Sequence, residues 1–204
     1  MRLILNQKDS WGVTMLFYAI RRGDPKIVEF CLKAGSDPDM PCQVKVNDYG
    51  LCLSVSPLVF AIAGDYDSPT LRLHSTDIVR YLLAYGAAPL VVPLVLFTPP
   101  DRPTGLDSDA SDQLHQLLES KLTFSHRYLL ELATRLGKPT LRIQAKMLEY
   151  DMEELMRVPF FLIGQEWAIR AVTSNLVTHR MLGAKKPLVL AFAGSVSRCA
   201  LYKS

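Results

Sequence analysis

The sequence predicts a mainly α-helical protein made of helix–turn–helix repeats, a helical spacer and a fragment of an α/β domain. Two observations predict the repeats: a motif that opens a short helix occurs twice, and each copy leads to a second apolar helix that ends at a glycine. The third observation is an unbroken apolar run before a glycine, which is typical of a buried parallel strand. We expect repeats at 1–96 (units at about 11–40 and 55–90), a linker at 97–112, the spacer at 113–156 and the α/β fragment at 157–204.

The two units match each other at the start of the first helix, along the second helix and at the closing turn. The matching segments are Thr14–Ala19 with Ser56–Ala61, Ile27–Leu32 with Ile78–Leu83, and Ala34–Pro38 with Tyr85–Pro89. Because a hydroxyl at the N-cap accepts a hydrogen bond from a free backbone N–H, we expect Thr14 and Ser56 to cap the first helices. We expect Gly35 and Gly86 to end the second helices in the left-handed conformation.

Apolar residues recur at helical spacing in both units and predict a core between the helix layers. The residues expected in this core are Leu16, Ala19, Val28, Leu32, Leu58, Ala61, Val79 and Leu82. Cys31 lies within the second helix and is predicted to be a small buried hydrophobe. Cys42 and Cys52 share one loop, and we expect free thiols in a reducing compartment, with a disulfide between them as the alternative.

The helix starts TMLFYA and SPLVFA, with the closing turns that follow them, resemble the ankyrin repeat family, whose units open with T-P-L-H-x-A. The resemblance covers about residues 1–90, with Met1–Gln7 as the last helix of a further, truncated repeat. It implies a scaffold that binds a protein partner and is not a catalyst.

Two insertions interrupt the regular repeat spacing. Met40–Val55, which we call the finger, replaces a short hairpin between the units, and Asp65–Ser75 lengthens the turn inside the second unit. Insertions in repeat proteins emerge on one face, often the binding face, so each segment is either a binding loop or a neutral surface loop. Two units are fewer than the about three that a stable stack needs, so we expect helices after the linker to cover the open apolar end.

The linker is rich in proline, glycine, serine and aspartate at Thr98–Asp112. Apolar spacing then predicts three spacer helices, at Gln113–Leu122, His126–Leu136 and Leu141–Met156. The last is expected to end before Pro159, because the residue before a proline avoids helical geometry.

A box of sequence IGQEWA at 163–168, an amphipathic helix at Trp167–Leu182 and an apolar strand at Leu188–Ala193 follow in that order. This arrangement resembles the start of an AAA+ ATPase module of the Clp/HSP100 (ClpB-like) type, a P-loop NTPase. The resemblance implies a remnant adenine and phosphate site at Leu162, Ile163, Gly164 and Gly194. It implies ATP and magnesium as cofactors of a complete family member.

The phosphate-binding loop of that family departs from the pattern here. The Walker A motif G-x-x-x-x-G-K-[ST] uses glycine N–H groups and a lysine to hold phosphates, but Cys199 and Ala200 stand where its Gly-Lys pair belongs. We therefore expect this chain to have no cofactor, no catalytic residue and no metal site. We interpret Val196–Ser204 as translated intron sequence, or an equivalent alternative reading frame, that truncates the module, because a splice-donor sequence read in frame encodes Val-Ser.

The net charge is +3, with basic and acidic side chains interspersed, which indicates no nucleic-acid partner. The longest apolar stretch, Leu90–Phe97, is far shorter than the about 20 residues of a membrane helix. With no signal or transit segment seen, we expect an intracellular, cytoplasmic protein that binds its partner through the repeats and the finger.

Three hypotheses about function follow from these resemblances. The first is a protein-interaction scaffold that carries an incomplete ATPase module. The second is an ATP-dependent chaperone or unfoldase subunit whose motor is completed in a longer product, which alone would form a ring oligomer. The third is a fragment that regulates full-length copies by occupying a position in their ring.

Overall fold

The computed structural model describes residues 5–45, 52–63, 69–97, 118–137, 147, 149–162, 164–183 and 187–191, and they are mainly helical. The chain divides into two compact units, residues 1–140 and 141–204. Most of the predicted linker and the segments 113–117, 192–193 and 196–204 lie outside the described residues, so the predictions for them stay predictions. None of the helices in the described ranges is long and apolar enough to cross a membrane.

The described part of the first unit is a stack of helices with one hairpin. Its elements are α1 (Met15–Arg22), α2 (Pro25–Lys33), β1 (Cys42–Lys45), β2 (Cys52–Val55), α3 (Pro57–Ala63), α4 (Pro69–Ala84) and α5 (Phe124–Leu136). Short 3-10 helices at Pro89–Val91 and Leu94–Leu96 follow α4. The helices α1 with α2, and α3 with α4, form the two helix–turn–helix layers that the doubled motif predicts.

Glycine and proline separate the two helices of the first repeat. Gly23 ends α1 with a φ of 74°, a left-handed conformation that glycine adopts without steric cost. Asp24 then caps α2 by accepting a hydrogen bond from the N–H of Lys26 (2.9 Å), and Pro25 fills the first helical position. Gly35 and Gly86 have φ values of 100° and 94°, which confirms the predicted left-handed ends.

The predicted caps of the first helices are half correct. The Oγ of Ser56 accepts from the N–H of Val59 at 3.3 Å, as expected. Thr14 occupies the N-cap of α1, but its side chain makes no capping hydrogen bond. Its hydroxyl instead accepts from the Sγ of Cys42 at 3.7 Å, because the finger brings a buried thiol against this position.

The core lies between the helix layers, and all eight residues predicted for it are buried. The phenyl rings of Phe17 and Phe60 meet between the layers, with ring centroids 5.1 Å apart. Cys31 is buried as predicted, and this burial raises the pKa of its thiol and keeps it protonated. The repeats therefore stack through one continuous apolar interior.

The far end of the stack is covered by α5, which packs against α4 and the 3-10 helix at Pro89–Val91. The prediction that a helix after the linker closes this end is confirmed, and the helix expected at His126–Leu136 begins two residues earlier, at Phe124. Its inner face buries Leu129, Leu130 and Leu132. This helix supplies the cover that a third repeat would otherwise provide.

The finger is an antiparallel hairpin at the ends that the structure describes. Its register pairs Cys42 with Val55 and Lys45 with Cys52. The two cysteines therefore lie three register positions apart, which at about 3.3 Å per residue exceeds the Cα separation a disulfide allows. Cys42 is a free, buried thiol, as expected, and the alternative of a disulfide with Cys52 does not hold.

The turn predicted at Asp65–Ser75 is wrong in its second half, because α4 begins at Pro69 and residues 69–75 are helical. A proline at the first helical position has its φ already set for a helix, and the following TLRLH carries strong helix formers. Residues 65–68 lie outside the described part of the chain.

The described part of the second unit contains a 3-10 helix (Glu153–Met156), α6 (Val158–Phe161) and α7 (Glu166–Met181). The helix expected at Trp167–Leu182 is confirmed within one residue at each end. The helix expected over Leu141–Met156 is wrong for its described residues, because Asp151 takes a left-handed φ of 55° and interrupts it. Residues 141–146 and 148 lie outside the described part of the chain. Pro159 opens the short α6 and does not simply end a helix.

The strand predicted at Leu188–Ala193 is wrong for its described residues. Residues 188–191 have no strand pairing, and Val189 is exposed. An apolar run becomes a buried strand only beside a strand that supplies backbone partners. The described ranges of this unit contain no such strand.

Candidate protein-binding surface

A hydrogen-bonded turn at residues 9–13 presents an exposed tryptophan just ahead of α1. The Oδ1 of Asp9 accepts from the backbone N–H of Trp11 (2.8 Å) and of Val13 (2.9 Å). Gly12 allows the turn with a φ of 75°, and its N–H donates to the carbonyl of Asp9 at 3.0 Å. The Trp11 side chain is 74% exposed on this ordered turn.

The second carboxylate oxygen of Asp9 ties the turn to α1. The hydroxyl of Tyr18 donates to the Oδ2 of Asp9 at 2.6 Å. This hydrogen bond, with those from Val13 and Trp11, lowers the pKa of the Asp9 carboxyl, and it raises the pKa of the Tyr18 phenol. The carboxylate therefore stays ionised at neutral pH and the turn keeps its hydrogen bonds.

The base of the finger is anchored in the stack while its next pair of residues points to solvent. Cys42 and Val55 face each other and are buried, whereas the neighbouring pair Gln43 and Ser54 is exposed. This alternation follows from the two-residue period of a strand. The contact of Cys42 with Thr14 fixes the base of the finger beside the start of α1, which follows the Trp11 turn.

One hydrogen bond recurs along the stack at the closing turns. The Oδ1 of Asp39 accepts from the N–H of Ala88 (2.7 Å), and the Oδ1 of Asn6 accepts from the N–H of Asp37 (2.8 Å). Asp37 in the first unit is equivalent to Ala88 in the second. Asn6 therefore makes to the first unit the same hydrogen bond that Asp39 makes to the second. This agrees with Met1–Gln7 as the end of a further repeat, although residues 1–4 lie outside the described ranges.

Of the residues proposed as a remnant nucleotide site, two can be placed. Leu162 and Gly164 are exposed in the turn between α6 and α7, and Gly164 has a φ of 75°. Ile163 and Gly194 lie outside the described residues. An open cleft of about 420 Å³ in this unit is lined by different residues, Glu149, Tyr150, His179, Arg180 and Gly183.

The sequence did not reveal a buried histidine at the junction of α4 and α5. The Nε2 of His126 lies 3.3 Å from the hydroxyls of both Ser75 and Thr76, and its Nδ1 accepts from the N–H of Thr123 at 3.4 Å. Because Nδ1 is the acceptor, the neutral ring carries its proton on Nε2 and donates it toward those hydroxyls. A general base for Ser75 would need an unprotonated Nε2, so this cluster is a structural clasp.

Within the described ranges, no group of three or more His, Cys, Asp or Glu side chains is placed to hold an ion. The exposed Trp11 turn was also not predicted from the sequence, although the pattern DSWGV, in which an aspartate precedes a glycine, is typical of such a turn. The candidate that the described residues support best is the surface formed by the Trp11 turn and the finger.

The ankyrin repeat family matches residues 11–40 of the chain, the first of the two units. The match spans α1, α2 and the start of the finger, and includes the Trp11 turn. Neither the comparison with curated proteins nor that with solved structures finds a match to this chain.

Proposed function

We propose that this chain is a protein-interaction module whose partner contacts the Trp11 turn and the finger. The ankyrin repeat at 11–40 supports a role in protein–protein binding. The observation that carries the proposal is the exposure of Trp11 on a turn held by both oxygens of Asp9. The backbone of this turn is already held by hydrogen bonds and loses little conformational freedom on binding, and tryptophans are enriched among the residues that dominate interface energies.

The finger adds a second contact beside this tryptophan. Its buried base is fixed against Thr14, and the next pair, Gln43 and Ser54, is exposed, as expected where an insertion of a repeat protein lies on the binding face. A partner that covers Trp11 and the finger together would bury apolar surface at the centre and polar residues such as Gln43 and Ser54 at the rim. The free thiols Cys31 and Cys42 suit a reducing compartment and support the cytoplasm as the site of action.

Replacing Trp11 by alanine should weaken partner binding about thirtyfold, the loss expected for one dominant interface aromatic. Peptides selected from a random displayed library on the immobilised full chain serve as ligands, and isothermal titration calorimetry gives their Kd values for each variant. The matched control is Trp167→Ala, because Trp167 is the other tryptophan of the chain and is also exposed. Equal losses in the two variants, or none in either, would refute the role of Trp11.

Deleting Val44–Leu53 should abolish binding of the same peptides and leave the helices intact. The deletion removes the outer part of the hairpin and keeps the buried pair Cys42 and Val55. Circular dichroism at 222 nm checks that helix content is preserved. If the shortened chain binds the peptides as tightly as the wild-type chain, the interface does not include the finger.

A second proposal concerns residues 157–204, as the start of a Clp-type ATPase module. The order of a glycine turn at Gly164 and then helix α7 agrees with it, whereas residues 188–191, where the strand of the module is expected to begin, form no strand. The chaperone alternative needs a phosphate-binding loop, and Cys199 and Ala200 replace its Gly-Lys pair. We expect calorimetry of the full chain to detect no Mg²⁺-ATP binding at millimolar nucleotide, whereas clear binding would favour the chaperone alternative.

A further inference from the structure

The open cleft of the second unit lies between two hydrogen-bonded turns, and the first of them carries Glu149 and Tyr150. The N–H of Met152 donates to the carbonyl of Met147 at 2.8 Å and closes this turn around both residues. Asp151, next in the chain, is the only non-glycine residue of the described ranges with a left-handed backbone. The backbone of this wall is therefore held in place before any ligand arrives.

The opposite wall is the C-terminal end of α7. It contributes His179 and Arg180 from the last turn of the helix, and Gly183 from just beyond it. The N–H of Gly183 donates to the carbonyl of Arg180 at 3.2 Å, which holds the chain in a turn as it leaves the helix. The last carbonyl groups of a helix carry a partial negative charge. This wall therefore combines a guanidinium group with the negative end of a helix.

The cleft is lined by two opposite charges that do not neutralise each other. Glu149 and Arg180 are both exposed, and these two described side chains form no ion pair with each other. A guanidinium group binds a carboxylate through two parallel hydrogen bonds, and a carboxylate accepts hydrogen bonds from an ammonium group. The cleft is thus complementary to a solute that carries a carboxylate and an ammonium group.

The size and the third wall residue narrow the class of solute. The cleft has a volume of about 420 Å³, within the range of about 300–1,000 Å³ that is usual for small-molecule sites. Tyr150 is half-buried and adds an aromatic ring to the lining. Because aromatic rings pair favourably in offset or edge-to-face arrangements, this residue favours a solute with an aromatic side chain.

We propose that this cleft binds a small zwitterion, either a free aromatic amino acid or a dipeptide that contains one. Its carboxylate binds Arg180, its ammonium group binds Glu149, and its ring contacts Tyr150. The negative end of α7 adds to the attraction for the ammonium group. The cleft lies in the second unit, whereas the Trp11 turn and the finger lie in the first.

The test titrates the full chain with L-phenylalanine and with glycyl-L-phenylalanine by isothermal titration calorimetry, and we expect one bound molecule per chain. The tighter of the two ligands identifies whether the source is a free amino acid or a dipeptide. N-acetyl-L-phenylalanine lacks the ammonium group, and L-phenylalanine methyl ester lacks the carboxylate. Each should bind about tenfold more weakly than L-phenylalanine, as expected when one charged hydrogen-bonding group is lost.

Two variants assign the charged groups of the ligand to their partners. Arg180→Gln should weaken L-phenylalanine binding about tenfold but leave the affinity for the methyl ester unchanged. Glu149→Gln should weaken L-phenylalanine equally but leave the affinity for the N-acetyl derivative unchanged. The matched control is Arg170→Gln, at an exposed arginine that lies on α7 but does not line the cleft. It should bind as the wild-type chain does, and circular dichroism checks that all variants are folded.

Three results would overturn the proposal. One is the absence of binding of both zwitterions at millimolar concentration. Another is an equal loss of affinity in Arg170→Gln and Arg180→Gln. The third is binding of N-acetyl-L-phenylalanine as tight as that of L-phenylalanine, since the cleft would then be a simple anion site. Trp11→Ala should leave these titrations unchanged, so a failure of the proposed protein-binding surface is distinguishable from a failure of this site.

Discussion

Replacing Leu82 by alanine should lower the free energy of unfolding by about 2–5 kcal/mol, the cost of deleting a fully buried leucine side chain. Leu82 has no exposed surface and lies on α4, which contacts α1, α2, α3 and α5. A cavity at this point therefore lies on the helix that packs against both helices of the first repeat and against the covering helix α5. Urea unfolding monitored by circular dichroism measures the difference between variant and wild-type chains.

The same helix provides the control for this experiment. Leu73 lies on α4 too, but 78% of it is exposed. Leu73→Ala makes the same chemical change without a cavity and should alter the free energy of unfolding by less than about 0.5 kcal/mol. Nearly equal effects at the two positions would mean that the stacking of the repeats described above is wrong.

Lowering the pH from 6.5 to 4 should destabilise the first unit by about 3 kcal/mol through His126 alone. Burial holds the pKa of this imidazole at about 4, below its ordinary value of 6.5. The folded protein therefore favours the neutral ring, whereas the unfolded chain takes up a proton already below pH 6.5. The stabilisation is complete above pH 6.5 and is lost as the pH falls toward 4.

The structure gives a reason for this penalty beyond burial. A proton on Nδ1 would face the N–H of Thr123, so the capping box at the start of α5 would lose its acceptor. His126→Gln removes the titration, so its unfolding free energy should fall less than that of wild type between pH 6.5 and 4. His74→Gln, at an exposed histidine on α4, should keep the wild-type dependence. Identical pH profiles for all three chains would contradict this account of His126.

The sequence predicted the repeats well because each signal is local. Helix starts, the glycine ends at Gly35 and Gly86, and the eight core positions all depend on spacing within one unit. The covering role of α5 was also predictable, since a stack of two units leaves an apolar end. These features follow from periodicity and from the conformational freedom of glycine.

The errors concern contacts between distant segments. The hydroxyl of Thr14 does not cap its helix but accepts a hydrogen bond from Cys42, 28 residues away along the chain. No local sequence pattern predicts this contact. The clasp joins His126 to Thr76 and Ser75, which lie 50 and 51 positions earlier in the chain, so residue spacing within one helix could not predict it. In the second unit, the apolar run at 188–191 resembled a strand, but a strand also depends on a neighbour elsewhere in the chain.

The second helices of the two repeats, α2 and α4, differ in length, and this difference determines how the end of the stack is closed. α4 has 16 residues and α2 has nine, and the surplus lies before Thr76, the equivalent of Pro25. At 1.5 Å per residue, seven additional residues extend α4 by about 10 Å. Ser75, at the end of this extension, and Thr76, just after it, receive the His126 ring. The seven-residue extension of α4 therefore holds α5 in place through His126. α5 in turn covers the stack in place of a further repeat of about 33 residues.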